Sequence, residues 1–315
     1  MYDELEHKPI LTEEIVKNLI TDPDGIYVDM TLGDCGHFLE IKKNLSNKAI
    51  LIGFDVDLHA FNKAQKKLSK LISNCILINS NFKYLKQELT DYKIFEITGL
   101  LYDLGLSSMQ IDAKARGFSF QNENEKLDMR FDLSLKKDAS YYLNNLTFTE
   151  WKNIFKRCDL KLFASKLANN IIKKQPFITT AKDLNKIIEL SIPKYLQKQK
   201  KYFQLVYLCV RILVNNELEN FSASLNSGLT LLKVFGKCCI LTFNSLEEKV
   251  IFNTLKKLNK DFFLQKNLKK FIFQDKELIF FHLSKPIQPK PEEIAQNSRA
   301  RSAKLWVITK KIERI

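Results

Sequence analysis

Only 9 glycines and 7 prolines occur in the sequence, too few for a collagen-like or low-complexity stretch of any length. No apolar run approaches the roughly 20 residues that carry a helix across a bilayer. Met1 to Pro9 holds Asp3, Glu4 and Glu6 and lacks an apolar core, so no secretory signal is expected. Six cysteines are present, none paired at C-x-x-C spacing, and Cys238 and Cys239 sit side by side in an apolar run. With four scattered histidines, this speaks against a zinc site. It leaves reduced, buried thiols in a cytoplasmic protein as the expectation. A complete G-x-G-x-x-G is missing, which disfavours a pyrophosphate-bridged dinucleotide, and the absence of G-x-x-x-x-G-K-[ST] excludes a P-loop.

What is there is ordinary in bulk. With 315 residues, 45% hydrophobic and 27% charged, the chain suits one large domain or one domain carrying a smaller one. Fifty Lys and Arg against 36 Asp and Glu give a net charge of +14. Such a surplus favours a polyanionic partner through counterion release and steering. A Lys-rich composition produces the same number, so charge alone does not decide.

The first third alternates short apolar runs with helical patterns. Ile26 to Met30, Ala49 to Phe54, Ile76 to Ile78 and Gly99 to Tyr102 read as strands; Ala60 to Leu71 reads as a helix with lysines on its wet face. This rhythm predicts a doubly wound parallel sheet. From Ala139 to about Gln199 the pattern is helical, and Leu205 to Leu218 reads as a further helix. Strand texture returns at Lys237 to Phe243, Glu277 to Leu283 and Leu305 to Thr309. The expected division is a discontinuous domain, 1–110 and 205–315, interrupted by a helical insertion, 111–204. The lysine clusters at 198–201, 256–260 and 266–270 suit solvated faces or RNA contacts.

Val28-Asp29-Met30-Thr31-Leu32-Gly33-Asp34-Cys35-Gly36-His37 reads as a strand, a tight turn and a helix start. Such a turn admits a ligand close to the backbone, and the helix offers free N–H groups. Asp55 lies 22 residues beyond Gly33 at the end of the next strand, where an acidic side chain accepts bonds from ribose hydroxyls. Open turn, acidic residue and missing pyrophosphate motif favour a nucleoside cofactor such as S-adenosylmethionine over a dinucleotide. Asp103 ends the fourth strand, where ligands of open α/β sheets bind, with Ser107 and Ser108 just beyond; a capping Asp before a turn is the other reading.

In these residues the chain resembles the RsmH (MraW) family, which methylates the exocyclic N4 of a cytidine in bacterial small-subunit ribosomal RNA. The matching blocks include His7 to Leu11, Asp24 to Asp29, Thr31-Leu32-Gly33, Gly36-His37, Asp55-Val56-Asp57 and Asn81-Phe82. They continue through Asp103 to Ser108, Gln110-Ile111-Asp112, Arg116 to Phe120, Leu127 to Arg130, Arg211-Ile212, Val214-Asn215, Glu217-Leu218, Ser245-Leu246-Glu247 and Asn297 to Leu305. The resemblance implies an α/β fold, a class I S-adenosylmethionine methyltransferase: a Rossmann-like, mostly parallel sheet with a C-terminal antiparallel hairpin and an inserted helical, RNA-substrate domain. It implies cofactor contacts at Gly33, Cys35, Gly36, His37, Phe38, Asp55, Phe82, Asp103 and Gln110. Phe82 would stack near the adenine or serve as a core aromatic. Asp103 would orient the target amine or receive its proton, with Ser107 and Ser108 shaping the pocket. The implied partner is small-subunit ribosomal RNA within the assembled small subunit, with no membrane and a homodimer left open.

The chain also departs from the family. Cys35 stands where a glycine is usual, and its Cβ is expected to crowd the cofactor or forbid a positive φ. Asn244 replaces a histidine and Lys249 an arginine, removing an ionisable group and a planar fork. A basic residue is lost in the stretch Gln204 to Val210, and the usual G-E-E block is absent near Cys158. These losses motivate an alternative, an RNA-binding or ribosome-assembly protein that keeps the fold with impaired activity. A related amino-methyltransferase acting on another substrate is the third reading.

Overall fold

The computed structural model describes residues 9–69, 74–107, 110, 116–265, 272–273, 276–277 and 280–311. Ser108, His7-Lys8, Ile111-Asp112, the 266–270 lysine cluster and parts of two expected elements (70–71 and 278–279) lie outside them. The chain divides into two compact units, one of Met1–Gly105 with Leu218–Ile315, the other Leu106–Glu217.

The first unit is built on a seven-stranded sheet in the order β3-β2-β1-β4-β5-β9-β8. Its strands are β1 (Ile26–Asp29), β2 (Ile50–Asp55), β3 (Cys75–Asn79), β4 (Ile97–Asp103), β5 (Leu232–Thr242), β8 (Phe281–Leu283) and β9 (Lys304–Lys310). The short β6 (Ile272–Phe273) and β7 (Lys276–Glu277) pair with each other. Strands β1 to β5 run parallel, while β9 is antiparallel to both β5 and β8. The class I methyltransferase arrangement expected from the sequence is the one observed.

Burial on both faces explains the continuous apolar runs of these strands. Side chains alternate across the pleat. Val28, Ile52, Leu100 and Cys238 enter one apolar cluster, and their neighbours Tyr27, Leu51, Leu101 and Cys239 enter another. Helices α1 (Thr12–Leu19), α2 (Gly36–Lys43) and α3 (Leu58–Leu68) cover the second face through Ile15, Leu19, Phe38, Ile41 and Ala64. On the first face lies α4 (Leu85–Asp91), through Leu85 and Leu89.

The second unit is helical: α5 (Ala139–Asn145), α6 (Phe148–Arg157), α7 (Ala164–Lys174), α8 (Ala181–Ser191), α9 (Lys194–Gln197) and α10 (Lys201–Asn215). Reciprocal capping boxes, Thr147 with Glu150 and Thr180 with Asp183, start α6 and α8. Trp151 stacks on Phe155 in its core, with centroids 5.4 Å apart. The blocks around 116–120, 127–130 and 214–215 converge on one loop. Arg116 donates to the carbonyls of Arg130 and Phe131, while Asn215 donates to Met129 and accepts from the Phe131 amide.

One expected helix ends before its pattern does. Leu205 to Leu218 was to be continuous, but Asn216 adopts φ 51° and closes α10 in a left-handed cap. A new helix, α11 (Glu217–Leu231), follows and packs Phe221, Leu225 and Leu229 onto the first face of the sheet, joined by α12 (Ser245–Gln265) through Ile251 and Leu255. The last helix is α13 (Pro291–Gln296). No helix among the described residues is long and apolar enough to cross a membrane.

Candidate active site

Because β1, β2 and β4 are parallel neighbours, their carboxyl ends lie on one edge of the sheet, and each ends in aspartate: Asp29, Asp55 and Asp103. The chain leaving β1 crosses that edge. The Met30 amide donates to Leu101 of β4 at 2.9 Å, and the Leu32 amide donates to Phe54 of β2 at 2.8 Å. The turn that follows has φ 47° at Gly33 and 65° at Cys35. It sits at the switch point of the strand order, where open α/β sheets bind ligands.

Asp55 organises this turn. Its Oδ2 accepts from the Gly33 amide at 2.8 Å and its Oδ1 from the Asp57 amide at 2.8 Å. Burial nonetheless pushes the carboxyl up to about 6, against the lowering effect of those two bonds. Asp34 is tied to α3 by Lys63, which donates to its carboxylate at 3.1 Å, and by Lys67, which donates to its carbonyl at 3.2 Å.

Asp29, buried at 1% exposure, is the residue that sequence reasoning quoted without a role. Oδ1 accepts from the Thr31 amide at 3.0 Å and its hydroxyl at 3.4 Å, while Oδ2 has no partner among the described residues. Burial raises this carboxyl to about 6. An orphaned buried carboxylate oxygen carries a desolvation cost that a bound cationic or hydrogen-bonding ligand relieves. Thr31 links it to the next strand by accepting from the Asp103 amide at 2.7 Å.

His37 opens α2 at 7% exposure, with Nδ1 3.4 Å from Asp103 Oδ2 and Nε2 2.9 Å from the Ile10 carbonyl oxygen. A Cβ on Gly36 would lie 3.0 Å from the Pro9 ring, so this glycine allows the segment before α1 to close over the helix start. Leu11, at φ 52°, donates its amide to Glu293 of α13 at 2.7 Å.

A positive φ is not forbidden at Cys35: the residue takes φ 65° where a glycine is usual, and its side chain is buried in the same apolar cluster as Leu32, Phe38 and Ile41. Burial pushes that thiol up to about 12. Phe38 is likewise fully buried, so its side chain serves the core. Phe82 is half-buried at the margin of the other cluster, edge-on to Tyr102 at 6.0 Å. Gly33, Gly36, His37, Asp55 and Asp103 come together on the sheet edge. Ser107 and Gln110 belong to the second unit, where the Gln110 amide donates to the Ser107 hydroxyl at 3.2 Å and the Ser107 amide donates to Gln110 Oε1 at 3.1 Å.

The loss at Asn244 also has a structural account. Its Oδ1 accepts from the Leu246 and Glu247 amides, and Glu247 Oε2 accepts from the Phe243 amide at 2.7 Å. Asparagine thus caps α12, a role it fills well.

Comparison with known proteins agrees with this architecture. Residues 4–311 match the MraW methylase family. A Mycoplasma mycoides protein called ribosomal RNA small subunit methyltransferase H is 37% identical over 309 residues, covering 97% of this chain and 99% of that protein. Proteins of the same name from Clostridioides difficile (36% identical, 98% and 99% covered) and Mesoplasma florum (39%, 97% and 99%) are similar over the same extent. A solved rRNA methylase from Streptococcus thermophilus aligns more loosely, at 13% identity and a TM-score of 0.42, over 96% of this chain and 94% of that one. The chain belongs to the MraW methylase family.

Proposed function

We propose that this protein transfers a methyl group from S-adenosylmethionine to the N4 atom of a cytidine in small-subunit ribosomal RNA. The observation that carries the reading is the strand-end edge itself: a tight turn pinned to Asp55, beside a buried Asp29 with an unused carboxylate oxygen. The residues present fit the cofactor, which when bound supplies a methyl group activated on a sulfonium. Asp55 would accept from its ribose hydroxyls, and Asp29 would answer a hydrogen-bond donor or positive charge. Backbone groups of Gly33, Cys35, Gly36, His37 and Phe38, with the ring of Phe82, would complete its contacts.

Cytosine's amine is a weak nucleophile because its lone pair is delocalised into the ring. Asp103, one-third exposed at the tip of β4, is suited to accept from its N–H and to receive the proton released when the N–C bond forms. The base must leave its stack to be reached.

The helical unit supports an RNA substrate. Across 106–217, Lys and Arg outnumber Asp and Glu by 20 to 11, most of the chain's +14 surplus. Exposed rings are interspersed among these cations. Lys137 lies 4.8 Å over Tyr141 and Lys152 5.5 Å over Phe148, while Phe177 and Tyr195 are largely exposed. Basic residues interleaved with aromatics suit a folded ribonucleoprotein surface, so the substrate we propose is the assembled small subunit in the cytoplasm.

Mass spectrometry of small-subunit RNA from cells with and without the gene tests the reading. Loss of one N4-methylcytidine on deletion is expected. Equal methylation in both strains, with tight RNA binding by the purified protein, would assign it instead to RNA binding or subunit assembly.

A further inference from the structure

His37 lies between two hydrogen-bond acceptors. The Ile10 carbonyl oxygen, 2.9 Å from Nε2, can only accept, so Nε2 carries a proton. A neutral ring would then turn its Nδ1 lone pair toward Asp103 Oδ2 at 3.4 Å, a repulsive arrangement. One further proton removes the conflict, and an imidazole holds it more readily than a carboxyl, by ordinary proton affinities.

We propose that His37 is a positioning residue held as an imidazolium, which fixes the Asp103 carboxylate from behind and latches the Pro9–Leu11 segment over the site. The pair uses Oδ2 and leaves Oδ1 for a ligand. This deepens the reading of Asp103 given above and rests on it for its functional part, though the charge state of the ring does not.

The surroundings agree. Asp103 faces the ring from β4 and Asp29 from β1, while the Cys35 thiol of the preceding turn stays neutral. On the side of the N-terminal segment the ring meets the Ile10 carbonyl, and the amide of the adjacent Leu11 donates to Glu293. Burial lowers the proton affinity of the ring, but Asp103, the Ile10 carbonyl and Asp29 outweigh it, and the net direction is upward from 6.5.

The full chain, labelled with nitrogen-15 histidine and free of cofactor, provides the test. At pH 7.5 the His37 ring should show both nitrogens protonated. That signal should vanish in His37→Gln, and in Asp103→Asn its titration should move down by at least one pH unit. A neutral Nε2–H tautomer for His37 at pH 7 would overturn the proposal, whatever the protein methylates. Calorimetry with S-adenosylhomocysteine adds the functional arm. Its affinity should fall about tenfold in the wild type as the ring loses its proton, and the pH dependence should be absent in His37→Gln. Should the glutamine variant not fold, Asp103→Asn carries both measurements. An unchanged titration in that variant counts against the pairing.

Discussion

The amide of Gly33 donates to the carboxylate of Asp55 across 22 residues of sequence, so the tip of β2 sets the shape of the turn that follows β1. Asp55 therefore shapes the fold at this turn, and the contact with the cofactor proposed for it is separable from that role. Asp55→Ala removes both amide acceptors and should cost about 1–3 kcal/mol of stability, the usual penalty of leaving buried donors unpaired. Asp55→Asn keeps one acceptor oxygen, so it should lose less stability yet bind S-adenosylhomocysteine at least tenfold more weakly. Denaturant unfolding and calorimetry on the two variants check this; equal losses of stability would contradict it.

Stability should fall as pH rises from 5 to 8 in the cofactor-free protein. The folded-state proton affinities of Asp29 and Asp55 are raised to about 6. The native state thus binds more protons than the unfolded state between roughly pH 4 and 6, and stability declines through that window. For Asp29 the full cost of the buried charge is up to about 3 kcal/mol above pH 6. His37, also raised, contributes stability that is complete below about pH 6.5 and is lost as pH rises through its higher folded value. Thermal unfolding across this range should show the decline, and Asp29→Asn should flatten its lower half.

Cys35 should be chemically inert. Its thiol is 1% exposed and raised to about 12, so iodoacetamide at pH 8 should leave it unmodified in the native protein, as read by peptide mass spectrometry. Cys35→Gly relieves a left-handed conformation worth about 1–2 kcal/mol while deleting a buried side chain of similar value. Its net effect on stability should be small. Cys35→Val, β-branched at the same φ, should destabilise clearly.

Asn244→Ala should cost about 1 kcal/mol through loss of the α12 cap. The expected signature is a lowered unfolding midpoint with methyl transfer intact per folded molecule. A loss of turnover with unchanged stability would reassign Asn244 to the site.

The contrast between what the sequence displayed and what it hid has a physical pattern. The strands ending in Asp55 and Asp103 were legible because apolar runs bounded by polar residues mark strand ends, and a class I sheet then places those ends side by side. The Asn244–Glu247 cap was legible in principle, as an Asn-x-x-Glu pair before a helical run. The same position also shows the loss of an ionisable group, a charge signal that masks the capping one. The orphaned oxygen of Asp29 and the ring of His37 were not legible at all. Both depend on distant groups, Thr31 with the surrounding core for the first, Ile10 and Asp103 for the second. The end of α10 at Asn216 was hidden because apolar periodicity continues across the break.

The helical unit departs after β4 and returns before β5, two strands that are hydrogen-bonded neighbours in the sheet. Its entry and exit therefore interrupt no strand pairing. Substitutions or insertions within that segment should therefore leave the pairing of β4 with β5 as it is, so the segment can vary in length and sequence without redrawing the sheet.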